Sequence, residues 1–407
     1  MRGSLLLVAI AVAVLAAAVA AKKPLWHQLE GYSFEQYRVD FKKRYTPKDD
    51  GYAMREATFY KNLMHIKKLN SDPTRLWKAG VNMFTDMTAA EFKRLNGFRR
   101  GAPELRKNAA RVHGAPTHND APLPQTVDWR VSNPRVLTAV KHQGSCGSCW
   151  AHSAAESIES QYALVTGMLP VLSVGQINSC TPSDAPYNSA GCDGGDYAGA
   201  WAYLANTSIA RPDVLKSVTE NWAYPIPIKD WFFSDQPSNY TTSACRDISK
   251  EWTTPATSWF AELTAAGVSG LGVVNSNSAA GGAAARKALR DIGPLSVSVA
   301  AGNWQWYESG IFTNTPANGN SSEWEIDHAV QMVGYGYDKV LDANYWIVRN
   351  SWATLWGEDG FIRLWRAKDG EPEPCSTADF GPVCGTSGVL CDLAYPIVYE
   401  ATPTKFG

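Results

Sequence analysis

An α+β fold of two lobes behind a separate helical domain is what this sequence predicts, and three observations carry it. Apolar residues recur at three and four spacing between positions 34 and 70, a further helical stretch opens at position 149, and strand-like runs gather later in the chain. The 407 residues suit two or three domains. An apolar share of 45%, with 16 Trp and 17 Tyr, supports large cores. A formal net charge of −1 gives no bias toward nucleic acid or anionic membrane, and repeats and long charge runs are absent. Specificity must then come from a site.

The first element is a leader. Arg2 supplies a positive start, Leu5 to Ala20 is unbroken apolar sequence, and Ala18-Val19-Ala20 offers the small residues of a cleavage site. This predicts a signal peptide over 1–20, too short for a membrane span of ~20 apolar residues. Export would make Asn206, Asn239 and Asn320 glycosylation acceptors. It would also favour bridges among the eight cysteines, at 146, 149, 180, 192, 245, 375, 384 and 391. An even count does not require four bridges, because one nucleophilic thiol leaves another unpaired.

Residues 30–100 are rich in Lys, Arg and Glu and lack cysteine. Phe34, Tyr37 and Phe41, then Phe59, Leu63, Ile66 and Leu69, predict two amphipathic helices. Residues 101–122, rich in Gly, Pro, Asn and Ala, read as an exposed linker within reach of proteases. From 123 onward Trp, Gly and Cys become frequent. Cys149 to Leu164 reads as a helix with Ile158, Tyr162 and Leu164 toward a core, followed by strands at 295–299, 329–333 and 345–348. The Ala-, Gly- and Ser-rich stretch 264–285 reads as a long inserted loop. A helical half before a strand-rich half implies two lobes, and a cleft between lobes is a common home for an active site.

The most informative stretch is Gln143-Gly-Ser-Cys146-Gly-Ser-Cys149-Trp150. A thiol attacks as thiolate, so its pKa must fall below the free value of about 8.5. A helix start at Cys149 contributes ~0.3–2 kcal/mol, while one pKa unit is about 1.4 kcal/mol, so a cationic partner is needed. Of seven histidines, His27, His65, His113 and His118 lie before residue 123, and His142 is expected to face water. His152 follows Cys149 by three residues, with its ring directed away from substrate. His328 opens the apolar run 329–336 and alone would read as a buried strand histidine. Asn350, in Asn350-Ser351-Trp352 after another apolar strand, can accept from one imidazole nitrogen and aim the other at the thiol, with Trp352 as a screen from water. A thiol–disulfide oxidoreductase built on Cys146 and Cys149, a zinc site including His152, and an inactive binding homologue are the rival readings.

These motifs resemble the papain family of cysteine peptidases, cathepsin L type. Leu123 to Arg130 resembles the mature amino end, Gly191-Cys192-Asp193-Gly194-Gly195 a glycine segment of the cleft, Gly293-Pro294 the approach to the His strand, and Asn350 to Gly360 the Asn loop. Arg55, Phe59, Asn62, Ile66 and Asn70, with Gly80 to Asp86, resemble the inhibitory propeptide, although Gly51 replaces its leading Glu and leaves one ion pair in doubt. The resemblance implies a papain-like two-lobe fold, helical left lobe and β-barrel-like right lobe, preceded by a helical propeptide domain. It divides the chain into signal peptide 1–20, propeptide 21–122 and peptidase 123–407. It also implies an oxyanion hole from Gln143 and the Cys149 N–H, and bridges Cys146–Cys192 and Cys180–Cys245. Asn320 and Ser387 stand where the family has its third bridge. A local Cys375–Cys384 bridge, with Cys391 reduced and buried, is the expectation here.

Aligned from Ser387, Asp392 falls at the floor of the S2 pocket, which receives the substrate residue P2. Asp196 and Tyr197 fall on its rim, Ser298 on one wall, and Ile326 and Ala329 on the other. Gly194, Gly195, Asp327, Trp352 and Trp356 complete the implied substrate contacts. A carboxylate at that floor predicts acceptance of Arg as well as hydrophobic P2 residues, Arg gaining as pH rises. His152 stands where the family has an aromatic residue, with two readings open: it fills that space, or it titrates near the site and shapes the pH profile. The expected chemistry starts from a Cys149 thiolate and His328 imidazolium, blocked by the propeptide until acid weakens its carboxylate contacts, Asp86 among them. Protein or peptide substrates, no cofactor or metal, no nucleic acid, a monomeric state, and a lysosomal, vacuolar or extracellular destination complete the expectation.

Overall fold

The structure, a computed structural model, describes residues 23–114, 117, 120–208, 266–313, 324–378 and 381–400. The leader, Cys245, Asn239 and Asn320 lie outside these residues. Before position 123 come α1 (Phe34–Asp40), α2 (Tyr52–Asn70), β1 (Trp77–Ala79), α3 (Ala89–Lys93), α4 (Pro103–Lys107) and β2 (Arg111–His113). The two expected amphipathic helices are α1 and α2. Ser33 caps α1 by accepting from the Gln36 N–H, and Gly51, at φ +87°, takes the left-handed turn before α2 in place of an ion pair. Phe34, Tyr37, Phe41, Phe59, Leu63 and Ile66 are all buried, with the Phe59 ring 4.8 Å from Tyr37 and 5.4 Å from Phe34. Polar residues of α2 then hold the next segment. Arg55 pairs with Glu91 at 2.7 Å, Asn62 donates to the carbonyls of Thr85 and Met87, and the Asn70 amide bonds both backbone groups of Ala79.

The remainder contains β3 (Val127–Asp128), α5 (Cys149–Thr166), α6 (Val174–Cys180), α7 (Tyr197–Ser208), β4 (Ala266–Val274), α8 (Gly282–Asp291) and β5 (Leu295–Val299). There follow β6 (Tyr307–Phe312), β7 (His328–Asp338), β8 (Ala343–Arg349), β9 (Phe361–Arg366), β10 (Cys375–Ala378), β11 (Gly381–Cys384) and β12 (Leu393–Glu400). The main sheet runs β1-β6-β9-β8-β7-β5-β12-β4-β2, with β3 paired to β7. This path stays open among the described residues, so the expected barrel-like lobe is a mixed sheet without closure. Both end strands, β1 on β6 and β2 on β4, come from before residue 123.

Three expectations are corrected. The stretch 264–285 is not a loop where described, because β4 and α8 occupy most of it. Its small residues permit close packing: a Cβ on Gly272 would lie 2.2 Å from the Tyr395 ring, and Ala284, Ala285 and Ala288 are buried under the sheet. The linker 101–122 is not wholly exposed. Pro103 starts α4, β2 covers the edge of β4, and Gly101 is buried. Leu164 is 38% exposed, since the last turn of α5 emerges beyond the sheet.

Helix α5 forms the spine of the site and is buried from Cys149 through Ala163. Ala151, Ala154 and Ala155 let it approach closely, and Ser153 bonds Ser296 and the Val330 carbonyl, both at 2.8 Å. Its two buried acids are matched: Glu156 lies 3.3 Å from Arg349 and Glu159 2.9 Å from Lys141. An unpaired charge here would be costly, so these pairs fix how α5 sits on β7 and β8.

Candidate active site

Cys149 is the first residue of α5, where backbone N–H groups lack intrahelical partners. Cys146 is bridged to Cys192, which leaves Cys149 a free, buried thiol and removes the Cys-x-x-Cys redox reading. Its sulfur accepts from the N–H groups of Ala329, Gly97 and Trp150. Ala329 follows His328, the first residue of β7, so pairing of β7 with β5 and β8 brings the imidazole strand to the head of α5. His328 Nε2 donates to Asn350 Oδ1 at 2.9 Å, while Nδ1 has no hydrogen-bond partner. An amide oxygen can only accept, so Nδ1 carries the lone pair of the neutral ring. Trp352 lies over the imidazole with ring centres 4.8 Å apart, and the Ser351 N–H donates to the same Asn350 oxygen.

Gln143 is aimed by its neighbour: its Oε1 accepts from Ser351 Oγ at 2.7 Å. Its Nε2 donates to the carbonyls of Cys146 at 2.9 Å and Leu95 at 2.6 Å. Burial pushes the Cys149 thiol up to about 12 and the His328 imidazole down to about 4, against a smaller opposing pull from Asn350. Both groups are therefore neutral in this covered state, where burial disfavours a thiolate–imidazolium pair.

The cover is the segment 94–101. Gly97 O accepts from the Gly195 N–H, the Arg99 N–H donates to Gly195 O, and the Phe98 N–H donates to Asp327 O, at 2.9, 2.9 and 2.8 Å. A Cβ on Gly97 would stand 1.8 Å from Gly147 O, and one on Gly194, at φ +114°, would stand 2.6 Å from Gly97 O. Only glycines allow this approach. Phe84 and Phe92 close the other side, their rings 5.5 and 5.1 Å from Trp352.

The residues expected to form S2 are gathered together. Tyr197, Ala329 and Phe98 share one apolar cluster with Ile326 at its margin. Ser298 faces Ala329 in register, and Asp327 bonds the Ala301 N–H and Asn96, its own carboxyl raised by burial to about 6. Asp196 and Asp392 both grip Arg106. Trp356 is fully buried against Trp352, its indole donating to Trp304 O.

Cys375–Cys384 is bridged across β10 and β11, and Cys180 is also disulfide-bonded. Cys391 is free but only half-buried, because the turn at 386–391 leaves part of it at the surface. His142, expected to face water, is buried, its Nδ1 accepting from the Gly144 N–H. His152 donates from Nδ1 to Ser148 O, and burial lowers it to about 3, so it stays neutral where the enzyme would work. Asn206 falls in α7 by its backbone. Sequence reading missed Leu95, Gly97, Ser351, Trp304 and Arg106. Nothing in the composition of 94–106 distinguishes Leu95, Gly97 or Arg106 from their neighbours, and the bonds of Ser351 to Gln143 and of Trp304 to Trp356 join residues far apart in sequence.

A buried thiol at a helix start, an Asn-held imidazole and a covering amino-terminal segment define the precursor of a cysteine peptidase. Residues 123–380 match the papain family cysteine protease domain and residues 34–92 the cathepsin propeptide inhibitor domain, and the chain belongs to the papain family. It is 33% identical to digestive cysteine proteinase 2 of Homarus americanus, across 86% of this chain and 92% of that protein. It is 29% identical to human cathepsin L2, across 86% and 91%. Digestive procathepsin L 3 of the Tenebrio molitor larval midgut superposes with a TM-score of 0.63 at 26% identity, across 89% of this chain and 97% of that one.

Proposed function

We propose that this papain-family peptidase is an exported endopeptidase in which Cys149 is the nucleophile and His328 its base. The observation that carries the reading is the His328–Asn350 hydrogen bond, which leaves Nδ1 free on the strand whose next N–H meets the Cys149 sulfur. When the propeptide leaves and water enters, the desolvation that holds both groups neutral is lifted. Nδ1 then takes the thiol proton, and the thiolate is favoured by the helix start and by the imidazolium beside it. The sulfur attacks the scissile carbonyl, and Gln143 Nε2 with the Cys149 N–H receives the oxyanion. His328 returns the proton to the leaving amine, then activates water to release the acyl group.

The cover supports the same assignment. The Leu95 carbonyl sits on Gln143 Nε2, where an oxyanion would be received, and the Gly97 N–H meets the sulfur, so the covering segment occupies both positions a substrate would need. Cleavage between 101 and 122 would give a mature enzyme starting near Leu123, with Asp392 and Asp196 in an S2 pocket that accepts Arg beside hydrophobic residues. The apolar leader directs the chain into the secretory pathway, where the acceptor triplets would be glycosylated. Among the described residues no helix is long and apolar enough to cross a membrane.

An epoxysuccinyl inhibitor should label the matured enzyme at Cys149 alone, and Cys149→Ala should abolish both labelling and hydrolysis. Hydrolysis that persists after Cys149→Ala would refute the assignment.

A further inference from the structure

Arg106 lies beyond the matched propeptide domain and its side chain is only 9% exposed. Its Nη1 and Nη2 donate to Asp196 Oδ2 and Oδ1 at 2.7 and 3.0 Å, while Nε and Nη2 donate to Asp392 Oδ1 and Oδ2 at 2.7 and 2.6 Å. The guanidinium carbon is 5.4 Å from the centre of the Tyr197 ring, on which Phe98 also stacks at 5.6 Å. Tyr197 in turn donates from its hydroxyl to Asp392 O at 2.7 Å. We propose that Asp196 and Asp392 form a dedicated guanidinium site, which Arg106 locks in the precursor and an arginine side chain of the substrate fills afterwards. This rests on the peptidase reading above and deepens its specificity.

Three features argue for it. Two carboxylates fork onto one cation from different edges, a geometry that a planar guanidinium matches and a lysine ammonium does not. The carboxylate side chains are 0% and 5% exposed in the precursor, so loss of the Arg106 charge there leaves two buried like charges, and once the propeptide has departed the two facing carboxylates still favour a cation between them. The site also adjoins the cleft, since Asp196 follows Gly195, the residue bonded on both sides by the covering backbone. Among the described residues, the other donors to Asp196 are the N–H groups of Gly101 and Ala198, of which the first departs with the propeptide.

The test uses the full-length precursor and the enzyme it releases, with active sites titrated by an epoxysuccinyl inhibitor. Substrates differing only at P2, as Phe, Arg or Lys, should show Arg preferred over Lys by about tenfold or more in kcat/KM. That ratio should collapse in both Asp196→Asn and Asp392→Asn. Agmatine should compete with the Phe substrate where butylamine does not. In the precursor, Arg106→Leu should expose Cys149 to labelling faster than wild type, and Arg106→Lys should not restore protection. Equal use of Arg and Lys, or an Arg preference that survives Asp196→Asn, would overturn the two-carboxylate site. No hydrolysis of any P2 substrate with no label on Cys149 would instead sink the peptidase reading beneath it.

Discussion

Gly97→Ala measures how closely the propeptide must approach. The new Cβ would lie 1.8 Å from Gly147 O, 2.5 Å from its carbonyl carbon and 2.8 Å from its Cα, all backbone atoms that cannot swing aside. Reaching even 3.0 Å requires the two chains to part by 1.2 Å (3.0 − 1.8) at this point. Three backbone hydrogen bonds span the same place, Gly195 to Gly97, Arg99 to Gly195 and Phe98 to Asp327, at 2.8–2.9 Å. Such a separation stretches them beyond bonding distance, and at ~0.5–1.5 kcal/mol each the loss is about 1.5–4.5 kcal/mol. That corresponds to roughly a 10- to 2,000-fold rise in the uncovered fraction. The assay is the rate at which iodoacetamide alkylates Cys149 in uncleaved precursor at neutral pH. Gly114→Ala, with no atom within 4 Å of its Cβ, is the matched control and should change nothing. An alkylation rate in Gly97→Ala equal to that of the control would refute the cover described here.

Three further outcomes can be checked. Gln143→Ala should cut kcat by about 10²–10³ in the matured enzyme; a change in KM alone would argue against an oxyanion role. Asp86→Ala removes an acceptor from Tyr37 and Tyr45 and leaves the buried Lys43 ammonium without its 2.8 Å partner, so the precursor should lose ~3–5 kcal/mol of propeptide stability by denaturant titration. For acid maturation, Asp86 has the wrong range: Lys43 and two phenols hold it below its ordinary value despite burial, so its stabilisation is lost only as pH falls below ~3.9. His65 against Trp306, and His113 on Tyr395 Oη at 2.6 Å, have the right one. Burial first, then Lys68 and Arg75 around His65, and Lys287 and Arg111 around His113 against an opposing Asp291, depress both, so docking weakens as pH falls below ~6.5. Asp327, raised to about 6 chiefly by burial, with Glu325 beside it and Lys93 and Asn96 opposing, works in the other direction. His65→Gln with His113→Gln should flatten maturation rate between pH 7 and pH 5, by up to ~2 decades per pH unit for two protons; an unchanged profile would remove these histidines as the trigger.

Much of this architecture was legible because two periodicities are strong. Phe34, Tyr37, Phe59 and Ile66 repeat at helical spacing and are buried, while the runs at 295–299, 329–333 and 345–348 are strands. The candidate site residues were legible because Cys149, His328 and Asn350 each occupy the start or end of such an element. Residues 264–285 misled because alanine, glycine and serine signal loops only when nothing packs on them. Here Tyr395 lies over Gly272 and α8 is buried against the sheet, a tertiary fact with no local signature. His142 and His152 misled for the same reason, as burial depends on what the lobes cover. Arg106 is the clearest case: its partners, Asp196 and Asp392, lie 90 and 286 residues away, and no spacing rule reaches that far.

The covered cleft also keeps both the thiol and the imidazole neutral. A thiolate–imidazolium pair needs either solvent or fixed dipoles to offset the loss of hydration. In the precursor both groups are buried, and the N–H groups of Ala329, Gly97 and Trp150 only partly offset burial for the sulfur, which stays protonated. With Cys149 as the proposed nucleophile, the peptide that blocks substrate would also lower the reactivity of the group it covers. Removing it would then restore both access and charge in one step, so inhibition and chemical quenching would share a cause. A variant that opens the cleft without displacing Leu95 from Gln143 would separate them: Cys149 should then alkylate readily while peptide hydrolysis stays low. Phe98→Ala is such a variant, since it deletes a ring packed in the same apolar cluster as Cys149 and opens a path beside the sulfur while Leu95 keeps its bond to Gln143. If its alkylation and hydrolysis rise in equal proportion, the Leu95 carbonyl does not guard the oxyanion position.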